Sequence, residues 1–397
     1  MAGNESWGVI VLMRKNMKVL SAFLSALMLI GSLQLPALAQ FESSAGSALL
    51  MEASTGKILY EKEADIAKPP ASITKLMTLL LAFEAIEKGK VKWEDLVPIS
   101  EKAWRMEGSR MFLEVGTKVP YKDIVTGISV VSANDGCVAL AEFLYGSEGS
   151  FVQMMNDKAK ELGMTKTQFQ NASGLPAEGH YMSARDIGIL TKYLLQKYPE
   201  LLEIESMTQY TFNKILQYNR NPLLGRFPGA DGLKTGWTTE AGYCLVGTAQ
   251  QNGIRMITVI LNATSEDHRL QAAQELLNHG FKNFEFTDAV SAGAMVGTAQ
   301  VEEGKEKSVP LKLDESARVF IPVNSKAQLS FELKLNSAVL TAPIAPDTVV
   351  GEYVILHNGQ VQGSVPVSTV QGVERAGKLE LLFRRISMFF KNLFAKG

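Results

Sequence analysis

The chain has 397 residues, a formal net charge of -1, 46% hydrophobic and 20% charged residues. That balance is ordinary for a folded globular protein, and at roughly 150 residues per domain the length predicts two domains, with room for a third. The near-zero charge argues against a broad nucleic-acid surface, so no nucleic-acid partner is expected. The two cysteines, Cys137 and Cys244, are too few for a disulfide framework, and none of the four histidines sits in an HExxH pattern. No metal and no other cofactor is therefore expected.

Arg14, Lys15 and Lys18 precede an apolar run from Val19 to Leu35, and Pro36-Ala37-Leu38-Ala39 supplies a small-residue site. This is the layout of a secretory signal peptide over 1–39, cleaved after Ala39. An uncleaved anchor helix is the competing reading, weakened by the shortness of the run. The residues before Arg14 are unusual for a leader, which leaves Met13 and Met17 as alternative starts. No cysteine lies near the cleavage site, so no lipid is expected there. The mature protein is expected to be exported.

Residues 47–52 and 57–61 flank Ala53-Ser54-Thr55-Gly56 and predict a β-hairpin. Pro69-Pro70 stops extended chain, and Ser72 to Lys88 predicts a helix ended by Gly89. Leu76, Met77, Leu79, Leu80, Leu81, Phe83 and Ile86 make it apolar almost all round, so it is expected to be buried. Further helices are predicted at Tyr121–Val131, Cys137–Tyr145, Phe151–Leu162 and Ala184–Gln196. Strands follow at 232–236, 242–249 and 254–261, and 266–282 is helical again. Strands, a helical middle and more strands predict an α+β domain, residues 40–284, whose antiparallel sheet joins both ends of the segment.

Residues 285–374 lose the helical period. Leu329, Phe331, Leu333 and Leu335 alternate, and Asn358-Gly359 between Tyr353–Leu356 and Val361–Val367 is a strong hairpin signal. A small all-β domain is expected there. In 375–397, Leu379, Leu382, Phe383, Ile386, Phe389, Phe390, Leu393 and Phe394 return to helical spacing, with Arg384, Arg385, Lys391 and Lys396 largely off the stripe. A basic amphipathic helix of this kind predicts attachment to a membrane surface. A terminal helix docked on the β-domain is the competing reading.

Three short motifs stand in order: Ser72-Ile73-Thr74-Lys75, Ser132-Ala133-Asn134 and Lys234-Thr235-Gly236. Each alone is weak, and Ser72 alone would read as a helix cap. In a helix, however, Ser72 stands at the positive end of the dipole and Lys75 lies on the same face, within reach of its Oγ. The apolar surroundings would desolvate Lys75 and lower its pKa toward that of a general base. No G-x-S-x-G occurs, which leaves a lysine-activated serine as the hydrolase pattern.

As an ordered set the motifs are a strong signal. The sequence resembles the low-molecular-mass penicillin-binding proteins, serine D-Ala-D-Ala carboxypeptidases, from about Gly46 to its end. The resemblance rests on Pro70–Thr78, Ser132–Ala141, Asn219-Arg220-Asn221-Pro222-Leu223-Leu224 and Asp231–Gly236. It implies a β-lactamase/transpeptidase-like domain, a C-terminal β-rich domain, and the peptidoglycan stem peptide as substrate, with β-lactam antibiotics as covalent inhibitors. It further implies that Ser72 is the nucleophile and Lys75 its base. Ser132 would relay a proton to the leaving amine, and Lys234 would keep the local field positive. Asn134 would hydrogen-bond the substrate amide, and the Ser72 and Trp237 N–H groups would form the oxyanion hole. Gly236 would let substrate lie against the strand edge, while Thr235 and Arg269 would take its carboxylate. Relatives often carry a smaller or polar residue where this chain has Trp237, which bears on substrate preference and deacylation.

A class A β-lactamase would need an E-x-x-L-N segment between the second and third motifs, and none is found. A DD-endopeptidase or transpeptidase of the same superfamily differs only in scissile bond or acceptor. A non-catalytic penicillin-binding sensor is opposed by the intact Ser72, Lys75 and Lys234. Cys137 and Cys244 are expected as small buried apolar residues, with a disulfide left open.

Overall fold

The computed structural model describes residues 43–394, so the leader assigned to 1–39 lies outside the described residues. The first hairpin pairs β1 (Ser47–Glu52) with β2 (Ile58–Lys62). The buried Glu52 carboxylate shapes the turn by accepting from the backbone N–H groups of Ser54 and Thr55, at 2.9 and 2.7 Å. The predicted Ser72–Lys88 helix divides in two. A single 3-10 turn spans Ala71–Thr74, and α1 begins at Lys75 and runs to Glu87. Pro70 precedes the turn, and Ala71 takes a left-handed φ of +48°.

A hairpin of β3 (Leu96–Pro98) and β4 (Lys118–Pro120) brackets the short helix α2 (Glu101–Trp104). Then come α3 (Tyr121–Val130), α4 (Asn134–Tyr145), α5 (Glu148–Glu161), α6 (Ala184–Lys197) and the short α7 (Leu201–Glu205). The hairpin β5 (Gln209–Phe212) and β6 (Ile215–Tyr218) leads to β7 (Ala230–Gly232), β8 (Thr235–Thr238), β9 (Gly242–Gln251) and β10 (Ile254–Ala263). α8 (Glu266–Asn283) closes the domain, with Ser265 Oγ capping its start.

The antiparallel sheet runs β2-β1-β10-β9, and both β7 and β8 pair with the far edge of β9. The β1–β10 ladder joins the two ends of the segment, as the order of elements predicted. β1 is buried along its whole length because helices cover both faces. Alternation sends Leu49 and Leu50 to opposite sides. Gly188 of α6 packs on Leu49, and Gly280 of α8 packs on Leu50. The apolar helix α1 lies in the middle of the core against α3, α4 and α6.

The single predicted strand 232–236 is broken. Leu233 N–H and Lys234 N–H both donate to Val246 O, at 3.0 and 3.1 Å. Two residues therefore oppose one, a β-bulge, and bulges re-aim side chains. The side chain it re-aims is that of Lys234.

From Phe284 the chain is β-structure. β11 (Phe284–Val290) pairs β14 (Ala317–Pro322), with β12 (Met295–Glu302) and β13 (Ser308–Leu313) between them in sequence. β15 (Leu329–Leu335), β16 (Val339–Thr341), β17 (Val349–His357) and β18 (Gln360–Thr369) follow, and the six-stranded sheet has the order β15-β17-β18-β13-β12-β16. Asn358 and Gly359 form the expected two-residue turn with φ of +49° and +76°. Lys57 links the two regions by donating to Phe320 O at 2.8 Å and Gln362 Oε1 at 2.7 Å. A last helix, α9 (Lys378–Phe394), follows the sheet.

Candidate active site

A cleft of about 740 Å³ opens beside the 3-10 turn and is lined by members of all three motifs, among them Ser72, Ser132, Asn134, Thr235 and Gly236. Lys75 Nζ stands 2.9 Å from Ser72 Oγ, 2.8 Å from Asn134 Oδ1 and 2.6 Å from Ser173 O. Three neutral acceptors thus hold a side chain that is 0% exposed. Burial is the main cause that brings the Lys75 pKa down to about 8. An amine so placed is neutral in a usable fraction near neutral pH and lies within reach of the Ser72 proton.

Asn134 begins α4. Its carboxamide accepts from Lys75 and donates from Nδ2 to Glu107 O at 2.7 Å. Its first task in this structure is to position Lys75, with one N–H and one lone pair left for a ligand. The neighbouring Asp135 carboxylate, which the sequence reading did not use, receives Met111 N–H at 3.0 Å and Leu113 N–H at 3.1 Å. It ties down the segment carrying Gly108 and Ser109 of the cleft wall. Ser132 adopts a left-handed φ of +62°, and its buried Oγ has no hydrogen-bond partner. Strained backbone and an uncommitted hydroxyl at a cleft are features of functional sites.

Gly236 faces the turn closely. A Cβ there would lie 2.9 Å from Pro70 O and 3.0 Å from Ser72 N. Its missing side chain lets β8 press against the nucleophile turn, a stronger reason for glycine than access of substrate to a strand edge. Gly174 makes a similar approach from the other side, where a Cβ would meet Ala71 O. Lys234 is 2% exposed, and its Nζ makes one weak hydrogen bond, to Thr235 O at 3.5 Å. Burial and the charge of Lys75 push its pKa down, and Glu205 pushes it up.

At the mouth, Trp237 is 56% exposed and tilts against Tyr243 with ring centroids 6.0 Å apart. Arg269 is buried at the start of α8, and its guanidinium sits 5.7 Å from the Tyr243 ring centroid. It lines the cleft, and its Nε lacks a partner. Thr235 is buried on the same wall. The structure therefore brings together all nine residues singled out from sequence.

Sequence reasoning passed over Arg220, a cleft-lining cation whose charge lowers the pKa of both Lys75 and Lys234. The motif Asn219-Arg220-Asn221 contained it without showing where it would point. It also passed over His180. The Nδ1 of this ring accepts Gln170 N–H at 3.2 Å, so its Nε2 donates to Thr74 Oγ1, 2.8 Å away. Burial lowers the His180 pKa to about 4, and the ring is a neutral brace behind the nucleophile turn. Cys137 and Cys244 are both free and buried. Among the described residues no group of His, Cys, Asp or Glu is placed to hold a metal ion.

A serine beside a desolvated lysine, with a second buried lysine and an unpartnered serine hydroxyl across the cleft, is an arrangement that can carry out acyl transfer with a lysine as base. The sequence pattern of Peptidase_S11, D-alanyl-D-alanine carboxypeptidase, matches residues 35–265, and that of the penicillin-binding protein 5 C-terminal domain matches 284–375. The chain belongs to this carboxypeptidase family. It is 37% identical to the D-alanyl-D-alanine carboxypeptidase DacF of Bacillus subtilis over 359 residues, 87% of this chain and 90% of that one. Penicillin-binding protein 5 from Haemophilus influenzae superposes with a TM-score of 0.74 at 34% identity, covering 84% of this chain and 99% of that one. Penicillin-binding protein D2 from Listeria monocytogenes, in its ampicillin-bound form, gives 0.56 at 34% identity and covers 61% of this chain and 99% of that one.

Proposed function

We propose that this protein is a penicillin-sensitive serine carboxypeptidase that removes the terminal D-alanine from peptidoglycan stem pentapeptides through an acyl-enzyme on Ser72. The observation that carries the reading is the 2.9 Å contact between Lys75 Nζ and Ser72 Oγ inside a cleft of this family.

Neutral Lys75 takes the Ser72 proton as Oγ attacks the carbonyl carbon of the penultimate D-alanine. The oxyanion would form against the N–H groups of Ser72 and Trp237, a reading supported by the close approach of the neighbouring Gly236 to the turn. As the C–N bond breaks, the departing D-alanine amine receives a proton through the Ser132 hydroxyl, supplied from Lys75. Thr235 and Arg269 hold the carboxylate of the departing residue, and Lys234 keeps that end of the cleft positive. Water then attacks the ester carbonyl, giving a proton to Lys75, and Lys75 returns that proton to Ser72 Oγ as the C–O bond breaks. A β-lactam would acylate Ser72 in the same way, but its ring-opened amine stays tethered and blocks the water.

Transfer to an amine in place of water, or cleavage of a cross-link, would use the same groups. The exported, cell-wall setting follows from the leader expected at 1–39 and from the substrate. The tail would hold the enzyme at a membrane surface through the apolar side of α9, where Leu379, Leu382, Phe383 and Ile386 are exposed. Labelling with a fluorescent penicillin tests the reading. Wild type is expected to carry one covalent label that Ser72→Ala lacks, and to release D-alanine from a pentapeptide. An unlabelled wild type would end the enzyme reading. A labelled protein that releases no D-alanine would be a sensor.

A further inference from the structure

Glu205, the last residue of α7, has no part in the scheme above and belongs to none of the motifs. Its side chain is 0% exposed and neither carboxyl oxygen has a hydrogen-bond partner. An isolated buried carboxyl is expensive, so an unexplained one calls for a reason. Its surroundings are specific. A Cβ on Gly232 would stand 3.5 Å from the Glu205 Cβ, so the carboxyl rises from beneath the strand that ends at the Lys234 bulge. Asn219 Nδ2 holds the Glu205 carbonyl at 3.1 Å and the Met207 carbonyl at 2.9 Å, fixing the end of α7 to the loop that carries Arg220.

The groups that face this carboxyl are few. From α3 comes Ser129, whose Oγ also lacks a hydrogen bond of good geometry. From the bulge comes Lys234, the one charged group with a Coulombic hold on it. Lys234 in turn sees Lys75 on α1, Cys137 on α4, Arg220 and Glu205. Glu205 is the only carboxylate among these, and the others include two cations that oppose its charge. The Lys75 ammonium is faced by Cys137, Arg220 and Asp135. The asymmetry is also geometric. Lys75 has three good acceptors, whereas Lys234 has one at 3.5 Å.

Two buried lysines in one cleft repel each other, and the favoured state has only one of them charged. The chemistry needs that one to be Lys234, with Lys75 neutral to take the serine proton. Nothing in two identical side chains selects between them. We propose that Glu205 is a positioning residue that makes the selection, its buried carboxylate holding the Lys234 ammonium charged while Lys75 loses its proton. This rests on the roles given to the two lysines above. The carboxyl is itself held above the usual carboxylate range by burial, while Lys234 draws it back toward ionisation.

The sign is fixed. Glu205→Gln removes an anion from beside Lys234, so Lys234 loses its proton at lower pH. The alkaline fall of the acylation rate, followed with a fluorescent penicillin from pH 6 to 11, should move down by about one unit or more, the size of an opposite-charge effect at close range. Glu205→Asp withdraws the carboxylate by one methylene and should move the fall in the same direction by less. A packing role alone would lower the labelled fraction, or the melting temperature, and leave the shape of the pH profile untouched. Folded Glu205→Gln with an unmoved alkaline fall would overturn the proposal. Should Glu205→Gln not fold, an unmoved fall in Glu205→Asp would do the same. Failure of the underlying reading looks different, because the wild type itself would then take no label at Ser72.

Discussion

The cleft at Ser72 and the seam beneath the C-terminal helix use the same side chains in opposite settings. In the cleft, Lys75 and Lys234 are stripped of water, Lys75 among three neutral acceptors and Lys234 beside the buried Glu205. In the seam, Arg375 and Arg385 both reach Glu303, Lys305 pairs with Glu374, and Arg384 pairs with Glu380 while donating to Gly304 O at 2.7 Å. Most of these charges stand in water. A lysine in the first setting has its proton affinity changed and becomes a reagent, whereas in the second it is only a tether. Burial, more than residue type, separates catalysis from docking here.

The largest effect should come from spoiling the buried setting. Lys75→Arg keeps a cation within reach of Ser72 but cannot give up its proton. Acylation should fall by about 10²- to 10⁴-fold, the usual worth of a general base. In the wild type the acylation rate should rise as pH passes upward through about 8, where Lys75 becomes neutral. That rise should vanish in the variant. Stopped-flow measurement of labelling decides the matter, and a variant within about tenfold of wild type would remove Lys75 from the mechanism.

A second prediction acts on the exposed setting. Along the first turns of α9, Leu379, Leu382, Phe383 and Ile386 are exposed, Phe383 to 70%. The Arg385–Glu303 pair and the Arg384 hydrogen bond to Gly304 O hold the basic side of the helix to the β-domain and leave this apolar face outward. We expect a protein cut after Gly377 to leave membranes and anionic vesicles entirely in a sedimentation assay, with acylation rate unchanged. Sedimentation of the cut protein with membranes would move the anchor to the N-terminal segment.

These two regions were not equally legible in the sequence. The cleft was announced by three ordered motifs, and each brought its chemical groups to the wall. Motif spacing could not show the Leu233–Lys234 bulge, since it depends on one carbonyl of β9 serving two amides. Nor could it show Glu205, an ordinary glutamate at the end of the short stretch Leu201–Glu205, where β7 packs against it. The 3-10 turn at Ser72 read as ordinary helix because sequence does not register the left-handed Ala71. In the β-domain, Asn358-Gly359 was plain because its turn is set locally. The three-residue strands β3, β4 and β16 are too short to carry an alternation signal. Local devices were readable, and those made by distant segments were not.

The smallest expected effect tests the seam directly. Arg384 is the most enclosed of its cations, and it alone donates to backbone, to Gly304 O at 2.7 Å and Lys305 O at 3.3 Å. Arg384→Ala should therefore loosen α9 locally. Exposed ion pairs contribute little to global stability, so the melting temperature should stay within the error of the measurement. Acylation should be unchanged, because Ser72 and its partners lie in the other domain. Hydrogen exchange should speed up in the first turns of α9 and nowhere in α1, α3 or α4, since weakly held elements open independently of the core. If exchange in α9 stayed at the wild-type rate, the guanidinium would not be its tether. Should the whole domain instead melt earlier, the seam would belong to the β-domain core, and the contrast between a buried reagent and an exposed tether would fail on its second term.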